Sequence, residues 1–278
     1  MGGCAVLPAD NPWNQDVSGL PVDPNSAAYI NAIGGAGHLH PDFGSDPTYG
    51  IPFMVVGPSQ PFAPITYTDY GDESDPGPFP IPQNAPVEGG AGSSGDRHVL
   101  VVDSGNCTLY ELYDAHPNGS GWNAGSGARW PLDSNALRHE GWTSADAAGL
   151  PILPGLARYD EVAAGAIHHA LRFTVARTQQ GYIHPATHYA SSSTDRSLPP
   201  MGLRVRLKAG FDTSGFHGAA RVVLEALRRY GMIVADNGSN WYISGGTDSR
   251  WNDDDLNQLK TVPGSAFEAV QTGAIVGN

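Results

Sequence analysis

The sequence contains little basic charge and no long apolar run. Lysine and arginine together number 15 against 28 aspartates and glutamates, so the 278-residue chain carries a net charge of −13 at pH 7. Charged residues make up only 15% of the chain, below the usual level of about 25%. The acidic balance excludes nucleic-acid binding through a general basic surface, and the apolar runs fall short of the roughly 20 residues that cross a bilayer. We therefore expect neither a nucleic-acid partner nor a membrane span.

Strong helix formers are scarce in this chain, whereas turn residues are abundant. Glycine (36) and proline (23) favour short elements joined by loops and disfavour a helical bundle. An apolar content of 40% is too high for a chain that is disordered throughout. We expect one β-rich domain over residues 1–278, in which the Pro- and Gly-rich stretch 71–95 forms a long surface loop. A short strand near 79–81 is the alternative for part of that loop.

Local patterns predict several strands and one helix. Two apolar segments, 97–103 and 108–113, flank a Ser-Gly-Asn-Cys turn and predict a β-hairpin. Residues 217–230 show apolar positions at helical spacing and are followed by Gly231, a common helix stop. These elements predict a mainly β fold, which is an antiparallel β-sandwich or jelly roll with long loops and one packed α-helix at about 217–230.

The predicted hairpin carries several carboxylates. Glu111 lies between Leu and Tyr on one strand face, where a buried charge is costly unless it is paired or used. Asp103 and Asp96 lie in the same hairpin or at its end, and cross-strand pairs give spacings of a few ångströms. Glycoside cleavage needs two carboxylates about 5–10 Å apart, one as proton donor and one as nucleophile or base. Glu111 with Asp103 or Asp96 is therefore our candidate catalytic pair. The alternative is that these acids end turns or pair with arginine.

Ten histidines supply further candidates. His169 lies on the apolar face of the alternating segment 166–177, which predicts a half-buried strand. We expect His169 either to orient or protonate a catalytic carboxylate or to be a core histidine bonded to a carbonyl or carboxylate. Arg172, on the opposite face of that strand, and Asp236, in a turn, are candidate substrate-binding residues.

Metal chemistry has weaker support in the sequence. A zinc site would use His169, His184 and His188, but no HExxH or CxxC motif accompanies them. The oxygen-rich segment 248–255 does not match an EF-hand loop, so structural calcium is an option and not an expectation. We expect no catalytic metal and no cofactor, and no G-x-S-x-G motif supports a serine nucleophile.

Four tryptophans are candidate sugar platforms. They lie in polar, turn-rich contexts such as GWNAG and RWNDD, and they are Trp122, Trp142, Trp241 and Trp251. Sugar rings stack on exposed indoles while neighbouring polar side chains bond the hydroxyls. The alternative is that these indoles anchor loops by packing.

The chain contains two cysteines, Cys4 and Cys107. They would stay free thiols in a reducing compartment and would form a disulfide in an oxidising one. Scarce lysine, abundant turn residues and the acidic balance favour an exported protein. The first residues have neither a charged nor an apolar signal region, so we expect a secretion signal to have been removed.

Several sequence blocks resemble a family of exported bacterial proteins of unassigned function. The blocks are CAVLPADNPWNQDVS (4–18), HPDFG (40–44), LYELYDA (109–115), GWTSADAAGLPILPGLARYDEV (141–162), GAIHHALRFTV (165–175) and RYGMIVADNGS (229–239). The resemblance extends over nearly the whole chain. It implies secretion, a single domain and a Cys4–Cys107 disulfide, and it implies no catalytic residue.

We interpret the sequence as that of a secreted carbohydrate-active enzyme, a glycoside hydrolase whose paired carboxylates lie on a β-sheet face. Its partner would be a polysaccharide or oligosaccharide. The first alternative is a non-catalytic extracellular module that binds glycan or protein, which needs the aromatic residues but no carboxylate pair. The second alternative is a metal-dependent hydrolase, which a chelator would inactivate.

Overall fold

The computed structural model describes residues 1–277 as a mainly β protein, with 24% of residues in strands and 17% in helices. Thirteen strands of the described chain are β1 (His40–Asp42), β2 (Phe53–Val56), β3 (Ile65–Tyr67), β4 (Val99–Asp103), β5 (Thr108–Tyr113), β6 (His116–Asn118), β7 (Gly121–Ala124), β8 (Ser126–Pro131), β9 (Leu171–Val175), β10 (Arg204–Leu207), β11 (Met232–Asn237), β12 (Tyr242–Ser244) and β13 (Phe267–Ala269). Four α-helices of the same residues are α1 (Ser26–Ile33), α2 (Tyr159–Ala163), α3 (Gly218–Arg229) and α4 (Asp253–Asn257).

The strands form three open sheets, and each sheet mixes parallel and antiparallel pairs. The six-stranded sheet has the order β1-β12-β9-β11-β10-β13, the four-stranded sheet β2-β4-β5-β8 and the three-stranded sheet β3-β7-β6. The parallel pairs are β1–β12, β9–β11, β2–β4 and β3–β7. The mainly β class is confirmed, but the predicted antiparallel sandwich or jelly roll is corrected to mixed sheets. Side chains alternate in both kinds of pair, so periodicity does not reveal strand direction.

The predicted hairpin and the disulfide are both confirmed. Strands β4 and β5 pair antiparallel, with Val99 opposite Leu112. Cys107 lies in the connecting turn with a φ of 50° and is bonded to Cys4, at a Cα–Cα distance of 5.5 Å. The bond therefore ties the N-terminal segment to the four-stranded sheet.

The predicted helix is confirmed as α3. Its buried side chains, among them Val223 and Leu227, belong to the larger core, and the helix packs against β10. Gly231 follows the helix at a φ of +69°, and a Cβ at this position would lie 2.5 Å from the carbonyl oxygen of Val205. Glycine is therefore required where the chain turns back from α3 into β11. Within residues 1–277, none of the helices is both long enough and apolar enough to cross a bilayer.

Two hydrophobic cores lie on the two faces of the four-stranded sheet. Alternate residues of β4 join a larger core, which includes the six-stranded sheet, and a smaller one, which includes the three-stranded sheet. Phe79 and Ile81 are buried in the smaller core, and Phe79 forms an isolated bridge with Ala63. Part of the segment 71–95 is therefore covered, although Phe79 makes only an isolated bridge and residues 79–81 do not form the short strand of the alternative prediction. A single domain over residues 1–278 stays a prediction.

Candidate functional site

A polar cleft lies over one face of the six-stranded sheet. It consists of two adjoining cavities of about 370 and 200 Å³, which share Asp96, Asp236 and Asn237. We refer to both together as the central cleft. Strands β1, β9, β11 and β12 contribute its floor, and the loops around residues 48–51, 88–98 and 143–147 contribute its walls. Most lining side chains are carboxylates, hydroxyls, amides and tyrosines.

Neighbouring strands bring polar residues into two rows on this face. In the first row, Asp42 pairs with Ser244 across β1 and β12, and Ser244 accepts a 2.8 Å hydrogen bond from Arg172 on β9. In the second row, Tyr242 pairs with Thr174. The residues between the rows, such as Phe173, are buried in the larger core. Alternation along these strands thus separates an apolar face from the polar floor of the cleft.

A β-bulge in β11 places Asp236 in the second row. Val234 is opposite Phe173 and Asp236 is opposite Thr174, so Ala235 is an extra residue in this strand. Because side chains alternate between the two faces, a regular strand would turn Asp236 toward the core. The bulge therefore presents this carboxylate to the cleft.

Arg172 is the buried centre of an ion-pair network. Its Nε and Nη2 donate to Oδ2 of Asp146 at 3.1 and 2.9 Å, and Nη1 donates to the Ser244 hydroxyl. The other oxygen of Asp146, Oδ1, accepts a hydrogen bond from the backbone N–H of Ala148. Asp236 Oδ2 is farther away, at 3.9 Å from Nη2. The positive charge of Arg172 is therefore balanced mainly by Asp146 and only weakly by Asp236.

Asp236 retains its proton more tightly than a free aspartate. Burial, followed by the negative charge of Asp146, raises the pKa of Asp236 to about 6, although Arg172 and the backbone N–H of Asn237 oppose the change. A carboxyl group with this pKa is protonated in mildly acidic solution. It is therefore suited to donate a proton to a bound ligand.

His98 is held as a cation in the wall of the cleft. Its Nδ1 lies 2.6 Å from Oε2 of Glu88, and its Nε2 lies 3.0 Å from the carbonyl oxygen of Ala145. Both partners accept hydrogen bonds, so both ring nitrogens must donate. Burial opposes the charge, but the Glu88 carboxylate outweighs it and raises the pKa of His98 to about 9. The imidazolium thereby joins the Glu88 loop to the loop that carries Asp146.

Asp42 lies in a wall that is stiffened by aromatic contacts. Burial raises the pKa of Asp42, and a hydrogen bond from Tyr49 opposes the shift. The Tyr49 hydroxyl is 2.8 Å from Nε2 of His40, and the His40 ring stacks on Tyr242 at 4.0 Å. These contacts fix the edge of the cleft at which β1 and β12 begin.

Glu111, which was predicted to be catalytic, lies outside the cleft. The residue is 0% exposed, and its carboxylate accepts hydrogen bonds from the backbone N–H groups of Ile152 and Leu153 and from Nε1 of Trp130, at 2.9–3.1 Å. Burial raises the pKa of Glu111 to about 7, although the two backbone N–H groups oppose the shift. These contacts join β5 to β8 and to the short turn that begins at Leu153, which is a structural use of the carboxylate.

Of the other predicted catalytic residues, Asp96 lines the cleft and two do not. Asp103 accepts a 2.8 Å hydrogen bond from the N–H of Gly105 and closes the hairpin turn. His169 is buried, with Nδ1 2.7 Å from a backbone carbonyl and Nε2 3.2 Å from Glu161. The positions of Asp103 and His169 match the structural alternatives that the sequence left open.

The predicted substrate-binding residues fall into two groups. Arg172 and Asp236 both line the central cleft. Three of the four indoles are buried as packing anchors, namely Trp122, Trp241 and Trp251. Trp142 is partly exposed and lines a different cavity. The aromatic surfaces of the cleft are therefore tyrosines and not the predicted tryptophans.

The three histidines considered for a zinc site, His169, His184 and His188, contact protein groups. Within residues 1–277, no group of three or more His, Cys, Asp or Glu side chains is arranged to hold a metal ion. His184 pairs instead with Glu140 at 2.7 Å. In the oxygen-rich segment considered for calcium, Asp253 accepts hydrogen bonds from the N–H and hydroxyl of Ser45.

The sequence analysis did not single out Glu88, His98 or Asp146. Each lies in a loop or at a strand end, where polar residues have ordinary explanations. One signal was nevertheless present, because Arg172 stands between Leu171 and Phe173 in a predicted strand. A buried arginine requires a buried acidic partner, and that requirement points to an acid such as Asp146.

The motif resemblance gives no residue-by-residue guide to this cleft. Its chemistry has to be argued from the geometry of the residues that line it. Comparison of the chain with protein-family models, with curated proteins and with solved structures gives no match in any of the three.

Proposed function

We propose that the protein is an exported glycoside hydrolase that cleaves a polysaccharide or oligosaccharide in the central cleft. Asp236 would be the proton donor, and Asp96 would be the second carboxylate. The observation that supports the proposal best is that two of the carboxyl groups lining the cleft, those of Asp236 and Asp96, lie in different surroundings. Asp236 is largely enclosed beside Asp146, whereas Asp96 is exposed at the rim. Glycoside cleavage uses two carboxyl groups in different roles, one as proton donor and one as nucleophile or base.

Asp236 lies on the floor of the cleft, in β11, and Asp96 lies in a loop that forms one of its walls. Burial, followed by negative charges that include Asp96 and Asp236, raises the pKa of Tyr113. Both acids therefore act on the same phenol ring. They also line both cavities, so the bond to be cleaved would lie where the two cavities meet and sugar units would extend to either side.

In the proposed reaction, Asp236 gives its proton to the leaving glycosidic oxygen as the bond to the anomeric carbon breaks. Asp96 either attacks that carbon or takes a proton from a water molecule that attacks it. In the first case water then cleaves the glycosyl ester, giving a proton back to Asp236 and releasing the Asp96 carboxylate. Arg172 stays paired with Asp146. It thus holds the floor of the cleft in place without removing the proton from Asp236.

The remaining lining suits a polyhydroxylated ligand. Tyr70 and Tyr113 face the smaller cavity, and Tyr242 faces the larger one. Aromatic rings bind the C–H faces of sugars, while hydroxyl and amide groups such as Thr48 and Asn237 bond the sugar hydroxyls. These residues take the role that the sequence analysis gave to tryptophans.

Two further points support the export part of the proposal. Disulfides persist in oxidising compartments, and Cys4 is bonded to Cys107. The sequence blocks that resemble exported bacterial proteins also extend over nearly the whole chain, which the proposal treats as one domain.

The test is release of reducing ends from a panel of plant, microbial and algal polysaccharides, each with and without EDTA. We expect release from one glycan in both conditions. Asp236→Asn and Asp96→Asn should each lower kcat by about 100-fold or more. Asp212→Asn is the matched control, because Asp212 is exposed, contacts Ser214 and does not line the cleft. Its kcat should stay within about twofold of the wild type.

The outcomes separate the proposed function from its rivals. Full activity of Asp236→Asn would remove Asp236 as the proton donor. No release from any glycan, with retention of the protein on an insoluble polymer, would favour the non-catalytic binding module. Loss of activity in EDTA and recovery with zinc would favour the metal-dependent hydrolase.

A further inference from the structure

A separate cavity lies beyond one wall of the central cleft. Its volume is about 220 Å³, and its lining is Asp75, Arg129, Trp130, Pro131, Ala136, Leu137, Arg138, His139 and Trp142. We refer to it as the outer pocket. Thr143, which directly follows Trp142, lines the central cleft. A single peptide unit therefore separates the linings of the two cavities.

Arg138 fixes the aromatic walls of the outer pocket. Its guanidinium carbon lies 5.5 Å from the Trp130 ring centroid and 5.7 Å from that of Trp142. Its three nitrogens donate to the carbonyl oxygen of Thr143, to the carbonyl oxygen of Glu73 and to the carboxylate of Asp75, at 2.6–2.7 Å. With each nitrogen bonded to protein, Arg138 acts as a spacer between the indoles and not as a receptor for an anion.

Buried Glu111 holds the Trp130 indole in place. Its carboxylate accepts the indole N–H of Trp130 at 3.1 Å, so the polar edge of that ring points into the protein. The carbon edge of the Trp130 ring therefore lines the outer pocket. His139 packs against Trp142 with ring centroids 4.7 Å apart. The indoles are thus held by protein contacts, which lowers the entropy cost of binding a ligand to them.

The lining defines the chemistry of the ligand. Rigid indoles favour a ligand with an apolar face, while Asp75, Arg129 and His139 place polar groups around the rim. A sugar ring combines a C–H face with a ring of hydroxyls. Because Asp75 and Arg138 form an ion pair with each other, neither presents an unpaired charge to a ligand. The pocket therefore suits a neutral sugar, whose hydroxyls Arg129 and His139 at the rim can bond.

We infer that the outer pocket is a separate sugar-binding subsite for the glycan that enters the central cleft. This inference rests on the proposed function and adds a substrate class to it, namely a long, neutral polysaccharide. A glycan chain that follows the wall formed by Trp142 and Thr143 would occupy the central cleft and the outer pocket at once. Short oligosaccharides would fill the cleft and leave the outer pocket empty.

Binding is tested without turnover by electrophoresis in native gels that contain one soluble polymer each. The probes are hydroxyethylcellulose, galactomannan, arabinoxylan and mixed-linkage β-glucan, with carboxymethylcellulose as the charged comparison. We expect one neutral polymer to retard the wild type. Trp142→Ala should weaken that binding up to about tenfold, as stacking energies of about 0.5–1.5 kcal/mol imply. Trp142→Phe should stay within about threefold.

Two further variants test whether a loss of binding comes from the outer pocket. Leu137→Arg places a long side chain at the mouth of the pocket from a position that is 45% exposed, so folding should be preserved while binding is weakened. Phe62→Ala removes an aromatic ring that is 55% exposed and outside both cavities, and its binding should match the wild type. Thermal unfolding of each variant confirms that it is folded.

The two proposals fail in different ways. An active hydrolase whose gel retardation and KM for the polymer do not change in Trp142→Ala and Leu137→Arg overturns the outer pocket alone. A protein without hydrolase activity whose retardation still depends on Trp142 overturns the proposed function and keeps the outer pocket as a sugar site. A wild type that no neutral polymer retards overturns the inference.

Discussion

Glu111 and His98 are both enclosed by protein, and the chemical nature of their partners sets their protonation. The ring nitrogens of His98 face a carboxylate and a carbonyl, so the ring is an imidazolium. The oxygens of Glu111 face N–H groups, so its hydrogen bonds favour a carboxylate, even though burial raises its pKa to about 7. Side-chain contacts thus distinguish a structural acid from one that is available for chemistry.

Glu111→Gln should destabilise the fold. Both carboxylate oxygens accept N–H groups, so an amide NH₂ would face a donor in either orientation. We expect the free energy of unfolding to fall by about 1–3 kcal/mol, measured by urea denaturation. Glu225→Gln is the control, since this residue forms exposed ion pairs on α3 and should cost under about 1 kcal/mol. A Glu111→Gln protein with native stability and no turnover would instead restore the catalytic role.

The pKa of Asp236 should depend on Asp146. In the wild type, burial and the negative charge of Asp146 raise the pKa of Asp236 to about 6. Asp146→Asn removes that charge and frees Arg172 to pair with Asp236, so the pKa of Asp236 should fall. Carbon-13 NMR of the Asp236 carboxyl group measures the change. The basic limb of the pH profile of kcat/KM should move to lower pH by a similar amount. A pKa that stays at about 6 or rises would contradict this account.

At the level of elements, the sequence predicts features that local patterns determine. The β4–β5 hairpin and α3 follow from a turn motif and from helical periodicity, and both are confirmed. The parallel pairing of β9 with β11 was not predicted, because it depends on long connections that leave no local pattern. The bulge at Ala235 also has no local sequence signal, yet it determines that Asp236 faces the cleft.

The candidate site was predictable only in part for the same reason. Arg172, Asp236 and Asp96 were named from their strand faces and turns, and all three line the cleft. Glu111 was favoured because an acid in an apolar strand looks the same whether it bonds a ligand or the backbone of a distant turn. Its partners, Ile152 and Leu153, come from another part of the chain.

The His98 bridge should determine the order of the loop at 143–148. His98→Gln leaves the Glu88 carboxylate without its imidazolium and removes the bond to the carbonyl of Ala145. Breaking a buried pair costs about 3 kcal/mol, which urea denaturation measures, and hydrogen exchange should rise in that loop. His116→Gln breaks an exposed pair with Asp114 and should cost under about 1 kcal/mol. Equal effects of the two variants would show that the bridge has no special role.

For the molecule as a whole, several buried groups favour acidic conditions. The pKa of Glu111 rises from 4.5 to about 7, mainly through burial, and that of Asp236 rises from 3.8 to about 6. Their contribution to stability is complete below the unfolded pKa values and is lost as the pH passes through 6 and 7. The pKa of His98 rises from 6.5 to about 9, so its contribution is complete below pH 6.5 and is lost as the pH approaches and passes 9.

Thermal unfolding between pH 4 and 9.5 should therefore show a maximum Tm near about pH 5 and a decline toward alkaline pH. The maximum does not lie lower because the pKa values of Glu88 and Glu161 fall in the fold, where burial is outweighed by the pairs that Glu88 forms with His98 and Glu161 with His169 and Arg158. Their contribution is present above about pH 4.5 and is lost in acid. A Tm that peaks at pH 8 or above would contradict this assignment.

The disulfide should contribute a large share of the stability. The bonded cysteines are 103 positions apart, and removal of a native disulfide costs about 2–5 kcal/mol. Replacement of both cysteines by serine should lower the Tm, and a reducing agent should lower the Tm of the wild type but not that of the double variant. A wild type that is equally stable with and without reductant would mean that the bond is dispensable.

The same bond also determines how the chain would respond to mechanical force. Strands β1 to β4 all lie between Cys4 and Cys107 in the chain. Tension applied at the two ends passes across the sulfur–sulfur link and does not stretch this loop. Of the order of 350 Å of contour length, about 3.4 Å for each of the 103 positions, stays hidden until the link is reduced. A pulled molecule would therefore reach its full contour length only after the link is reduced.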